Sequence, residues 1–200
     1  MRTPTPTIMR ELRSMMPFHP ITLQEAMTIA EAQATVLLHL LNITEPAVDT
    51  DRLTALPRVS VIPDEDLAAH GFASTSSWQK GRWVIRINPR HAIGKQRFAV
   101  AHELKHILDA RAAQHAYQAL AATAEQRHEY VEYLADHFAA CVLVPRGWVV
   151  KAMHRGYRGV RQLAMLFMVP PTVMQTRLRQ LGITFDRNTT SSTPHDNENE

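Results

Sequence analysis

An α+β fold is predicted by three features of this 200-residue chain. Long segments carry apolar residues at helical spacing on both sides of a short β-rich region. Within that region Trp83, Ile85 and Ile87 alternate with Val84 and Arg86, as in a strand with one buried face. Directly after it comes a helix-period stretch, Phe98-Ala-Val-Ala-His102-Glu103-Leu-Lys-His106-Ile-Leu-Asp109, with two histidines four residues apart. Together they predict a small antiparallel sheet of about three strands packed on the histidine-bearing helix, followed by further helices.

Taken in order, residues 1–20 hold four prolines and are expected to form a flexible lead-in, with at most a short helix at Ile8–Met16. Thr22 and Glu25 make a capping box. Behind it Ala26, Ile29, Ala30, Val36, Leu37, Leu40 and Leu41 recur at helical spacing, so an amphipathic scaffold helix is expected over 22–42. His39 on it is read as a surface or packed histidine. Residues 42–56 read as loop plus a short helix starting at Asp49 or Thr50. Arg58–Ile62 is a β-branched run ended by Pro63. His70–Trp78 and Arg82–Asn88 read as strands joined by Gln79-Lys80-Gly81, where glycine is available for a positive φ.

The motif helix is expected over 94–112, then an alanine-rich connection. Further helices are expected over 125–143, stopped by Pro145, and over 148–154. The last two, Val160–Phe167 and Thr172–Leu181, flank Met168-Val-Pro-Pro171 and end at Gly182 as a C-cap. The divisions expected are a lead-in (1–20), a main domain (21–155), a C-terminal helical element packed on it (156–184) and a disordered Asn/Thr/Ser/Glu-rich tail (185–200).

Composition narrows the compartment and the partners. The chain is 45% hydrophobic and 20% charged, enough for an ordinary core. Net charge is +3, and residues 186–200 set four acids against one arginine, so the remainder is mildly basic. No run of consecutive Lys/Arg marks a nucleic-acid patch. Cys141 stands alone, which excludes an intramolecular disulfide and makes the cytoplasm the expected location. Met1–Phe18 lacks a continuous apolar core, so a secretory signal is not expected. No stretch approaches 18 uninterrupted apolar residues, so no membrane span and no membrane partner are expected.

His102-Glu103-Leu-Lys-His106 is the H-E-x-x-H arrangement of zinc hydrolases. On a helix the two imidazoles lie one turn apart on one face and can reach a single ion. Glu103, about 100° round, can hold a water without being a ligand. Such a site needs a third protein ligand. Six residues after His106 stands Ala112, which cannot serve. Asp109 would strain a tetrahedron built along one helix, and is better read as an outer-shell acceptor or as the i+4 partner of Lys105. On the next helix Glu132 borders the apolar face of Val131, Leu134, Ala135, Phe138 and Val142. Asp136, one turn on, can accept the free N–H of a ligand histidine. Geometry alone leaves Glu132, His128 and His115 as rivals for the third position, and puts His137 on the exposed side.

Arg97-Phe-Ala-Val-Ala-His-Glu-Leu-Lys-His106, followed by Glu132-x-x-Ala-Asp136-x-Phe138-Ala-Ala-x-Val-Leu-Val-Pro145, resembles the ImmA/IrrE metallopeptidases. The early amphipathic helix, the strand Trp83–Asn88 and Leu163-Ala-x-x-Phe167 to Arg177-Leu-x-x-Leu-Gly182 extend the likeness over roughly 22–183. The resemblance implies a zincin-like metallopeptidase core with one Zn²⁺ per chain held by His102, His106 and Glu132, with Glu103 as general base. Asp136 falls beside the ligand helix. Lys105 departs from the commoner H-E-L-G-H form; it is expected on the helix flank, paired with Asp109. For the oxyanion Tyr117, Tyr130, Tyr133, His115 and His128 are all available.

The resemblance further implies cleavage of a cytoplasmic helix-turn-helix repressor or antitoxin, relieving repression. The two helices around Val169-Pro-Pro171 are helix-turn-helix-like, with Arg177 and Arg179 on the second. Packing or protein-partner recognition is favoured for them over DNA binding. The alternative is a non-catalytic, metal-containing regulator that binds DNA or a partner through these helices.

Overall fold

The computed structural model describes residues 7–185. Its elements in order are α1 (Ile8–Ser14), α2 (Leu23–Leu40), α3 (Thr50–Thr54), β1 (Val59–Pro63), α4 (Glu65–Ala69), β2 (Ser74–Gln79), β3 (Arg82–Ile87), α5 (Ile93–Asp109), α6 (Ala113–Ala116), α7 (Ala124–Leu143), α8 (Arg146–His154), α9 (Val160–Phe167) and α10 (Pro171–Gln180). The mixed α+β class agrees with the sequence. The expected tail falls outside the described residues except for Phe185.

Local chemistry sets the long helices. Thr22 and Glu25 close the capping box at the start of α2, the Glu25 N–H donating to Thr22 Oγ1 at 3.3 Å and the Thr22 N–H to Glu25 Oε2 at 2.8 Å. Thr123 caps α7 by accepting from the Gln126 N–H, and Pro145 follows its last turn. Pro171 opens α10, and Gly182 stands just beyond its end at φ +69°.

The sheet corrects one expectation. Its order is β1-β3-β2, and it is mixed rather than antiparallel. β2 and β3 form the expected hairpin, with Lys80 and Gly81 both at positive φ in a two-residue turn. β1 instead lies parallel to β3, pairing Val59 with Trp83 and Val61 with Ile85. A parallel neighbour needs a crossover. The crossover contains α4, a helix not expected from the sequence; Asp64 caps it through the N–H groups of Asp66 and Leu67. The second strand therefore starts at Ser74 rather than His70.

Val59, Val61, Trp83, Ile85 and Ile87 turn one sheet face to a core shared with α5 and α7. The motif helix α5 packs against β2, β3 and α7, and α7 also packs on α2. Leu163, Phe167, Met174 and Leu178 from α9 and α10 are buried in that same core. At Gly94, a Cβ would stand 3.1 Å from the Met168 carbonyl oxygen, so the α9–α10 turn seats directly on the start of α5.

Part of the expected lead-in is packed. Met9, Leu12 and Met16 are buried, because they recur at helical spacing on one side of α1 and its exit. Arg13 Nη2 donates to the Ile107 carbonyl at 3.0 Å, and Gln33 Nε2 donates to the Leu12 carbonyl at 2.9 Å. These contacts join α1 to α5 and α2.

Candidate metal centre

The cleft is assembled where α5, α7 and β2 meet. The i, i+4 spacing on α5 sets His102 edge-on to His106, with ring centroids 4.8 Å apart and planes at 68°. From α7, Glu132 reaches both rings: its carboxylate oxygens lie 3.3 Å from His102 Nε2 and 3.4 Å from His106 Nε2. The two Nε2 atoms are 3.0 Å apart. Donors about 2.0–2.1 Å from a tetrahedral zinc stand roughly 3.3 Å from one another, so this triangle fits such an ion. His128, a rival for the third position, has its side chain largely exposed and lies 3.9 Å from the Glu132 carboxylate. His115 is not part of the cluster among the described residues.

The two rings sit in different electrostatic surroundings. His102 Nδ1 donates to Asp136 Oδ1 at 2.8 Å, and its Nε2 faces His106 and Glu132. Burial disfavours a charge on His102, yet the Asp136 hydrogen bond and the Asp136, Glu103 and Glu132 carboxylates outweigh it and raise the pKa. His106 moves the other way, lowered by burial and then by repulsion from His102. The pair is thus arranged so that His106 stays neutral.

Glu103 is 6% exposed and does not join the triangle. Ser74, the first residue of β2, donates its hydroxyl to Glu103 Oε1 at 2.8 Å. The cleft of about 520 Å³ is floored by His102, Glu103 and His106 and walled by Ser74, Phe98 and Glu132. Ser74 and the cleft cation Lys95 are site residues that the sequence does not single out. The place of Ser74 depends on which strand residue faces the helix, for which H-E-x-x-H carries no signal; Lys95 lies seven residues before His102 on α5, where helical spacing could have placed it on the same face.

Four expectations around the site change. Lys105 is not on a flank: it is 1% exposed and buried behind the site. Its Nζ donates to Asp109 at 2.9 Å and Gln33 Oε1 at 2.8 Å, and lies 5.9 Å from the Phe138 ring centroid. Asp109 is therefore the partner of Lys105, and of the Tyr117 hydroxyl, rather than an acceptor for a ligand histidine. Tyr117, buried and bound to Asp109, is withdrawn from the oxyanion candidates; burial and that carboxylate push its pKa up. His137 is 5% exposed, not on an open side, with Nε2 3.6 Å from Cys141 Sγ. Packing of α10 on α7 covers that flank.

Because Asp136 bonds His102 without entering the triangle, Asp136→Ala is expected to weaken binding of a metal ion there by about 10–100-fold. Competition with a chromophoric chelator measures this. An unchanged affinity would remove Asp136 from the site.

Residues 58–179 match the peptidase M78 family profile, described as the IrrE N-terminal-like domain. Among solved structures, a Mycobacterium tuberculosis transcriptional regulator aligns with a TM-score of 0.57 at 19% identity, covering 86% of this chain and 52% of that one. That likeness concerns the fold, and the present chain spans about half the length of that protein. No curated protein gives a significant sequence match.

Proposed function

The chain belongs to the peptidase M78 family of IrrE N-terminal-like domains, and from that premise we propose that it is a zinc-dependent endopeptidase acting on a cytoplasmic helix-turn-helix repressor or antitoxin. The observation that carries this reading is the triangle of His102, His106 and Glu132, whose ligand atoms lie within 4.8 Å of one another. Two imidazoles and one carboxylate are a known catalytic zinc set that leaves a position open. Zinc held there would supply the Lewis acidity that polarises a scissile carbonyl and activates water.

The remaining work falls to the chain's own side chains. Glu103, held by the Ser74 hydroxyl, takes the proton of the attacking water and passes it to the leaving amine. β2 is an edge strand whose Ser74–Ser76 stretch lines the cleft, so its free backbone groups are placed to pair with an extended peptide. Residues 21–155 are proposed as the zincin-like catalytic domain, with 156–184 as an element that serves it. A role in transcription control is in keeping with the fold shared with a transcriptional regulator. No helix among the described residues is long and apolar enough to cross a membrane.

The non-catalytic DNA-binding alternative loses one of its supports. Arg177 is 2% exposed and donates to the Val144 carbonyl and to Glu31, so it is not offered to a phosphate. Only Arg179 of that pair lies on the surface.

Incubating the purified chain with the repressor encoded beside its gene tests the proposal. Cleavage that stops with chelator and returns with zinc is expected. Cleavage that survives thorough chelation would contradict the mechanism.

A further inference from the structure

A second cavity, of about 500 Å³, lies away from the zinc cleft, where the C-terminal end of α5, the start of α1 and the β2–β3 hairpin meet. Its wall holds three arginines, Arg13, Arg58 and Arg111, and two indoles, Trp78 and Trp83. No carboxylate of the described residues lines it.

Arg13 shows how incompletely this charge is met. One Nη2 bond to the Ile107 carbonyl caps the end of α5, but its buried Nε has no hydrogen-bond partner among the described residues. Burial, and after it the like charge of Arg111 in the same wall, lower its pKa. Capping of a helix C-terminus explains one cation. It does not explain Arg58 and Arg111 gathered in the same wall.

Nor does it explain the indoles. Trp78 remains 52% exposed although it lies edge-on to Trp83, with centroids 5.5 Å apart and planes at 68°. A bare carboxylate or phosphate would satisfy the arginines and leave this ring uncovered. An apolar ligand would cover the ring and leave the arginines unpaired. A molecule joining a planar ring to an anionic group meets both, and the cavity has the size of a small-ligand site.

We propose that this cavity is a nucleoside-phosphate site, with the base stacked on Trp78 and the phosphate held by Arg111 and Arg13. Guanidinium forks suit phosphate oxygens, and stacking on an indole tolerates any base. None of the wall residues named belongs to the zinc cleft, so the site is independent of the peptidase reading. The nucleoside phosphate comes either free or as the end of a single strand.

The test is isothermal titration of the full-length, zinc-loaded protein with the four ribonucleoside monophosphates, adenosine, inorganic phosphate and a 5′-phosphorylated single-stranded oligonucleotide. Saturable binding of at least one monophosphate or of the oligonucleotide is expected, with adenosine and phosphate each at least about tenfold weaker. Trp78→Ala and Arg111→Glu should each weaken the bound phosphate ligand by about tenfold or more, and Trp78→Phe should restore most of the stacking. Both positions are on the surface, and zinc content with circular dichroism checks that each variant is folded. Tighter binding of the mononucleotide identifies the free form as the source, and tighter binding of the oligonucleotide the strand end. Absence of saturable binding by all of them would overturn the proposal. So would affinities unchanged in folded variants, or inorganic phosphate binding as tightly as any nucleotide.

Discussion

Glu103→Gln is expected to lower peptide cleavage by about 10²–10⁴-fold while zinc content stays at the wild-type level. The carboxylate lies outside the metal triangle, so removing its basicity should leave the ligands in place. The substituted amide oxygen can still accept the Ser74 hydroxyl, which keeps the local packing. Its effect should therefore appear in kcat with little change in KM, because the proton is transferred only in the reaction. Single-turnover cleavage assays with parallel metal analysis distinguish the outcomes. A variant that keeps zinc and full cleavage would remove Glu103 from the chemistry; one that loses both would make it a structural residue.

Asp109→Ala is expected to cost about 3–5 kcal/mol of stability, the penalty for leaving a buried charge without its partner. Lys105 Nζ is enclosed by Gln33, Asp109 and Phe138, and the residue is only 1% exposed. The same substitution strands the Tyr117 hydroxyl, a second buried polar group bound to Asp109. The double variant Lys105→Met, Asp109→Leu removes both charges and should recover the part of the loss due to the unpaired charge, while the Tyr117 hydroxyl and Gln33 Oε1 stay without these partners. Urea denaturation of the single and double variants checks this. Equal destabilisation of both would mean that packing volume, rather than charge pairing, holds this layer together.

Lys105 also shows where sequence reading reaches its limit. Helical periodicity places it one position before His106, and a charged residue there is ordinarily assigned to solvent. Its burial depends on Gln33, which lies 72 positions earlier in the chain, and on the approach of α7 through Phe138. No local pattern carries that information. His137 departs from expectation for a related reason: α10 folds back over a face of α7 that periodicity alone leaves bare.

What is legible in the sequence is local. The capping box at Thr22, the Lys80-Gly81 turn and the helix stops at Pro145 and Gly182 are each set by residues within a few positions. The strands are legible too, but their order is not. A β-branched run marks β1 and alternation gives β3 a buried face, but neither says that β1 lies parallel to β3 across a crossover. At the site, i, i+4 spacing places His102 and His106 together, whereas Glu132 needs the family resemblance to rise above His128 and His115. The structure brings Glu132 to both rings. Ser74 has no advance signal, since its contact with Glu103 exists only once β2 packs on α5.

Zinc-edge X-ray absorption on the loaded protein, with metal counted per chain, tests most directly whether His102, His106 and Glu132 hold one zinc ion whose chemistry Glu103 serves. The expected result is one zinc per chain in a shell of two imidazole nitrogens and oxygen donors at about 2.0–2.2 Å, and loss of that zinc in His106→Ala and Glu132→Ala. Wild-type protein that takes up no stoichiometric metal after zinc supplementation, or a shell without two imidazoles, would contradict it.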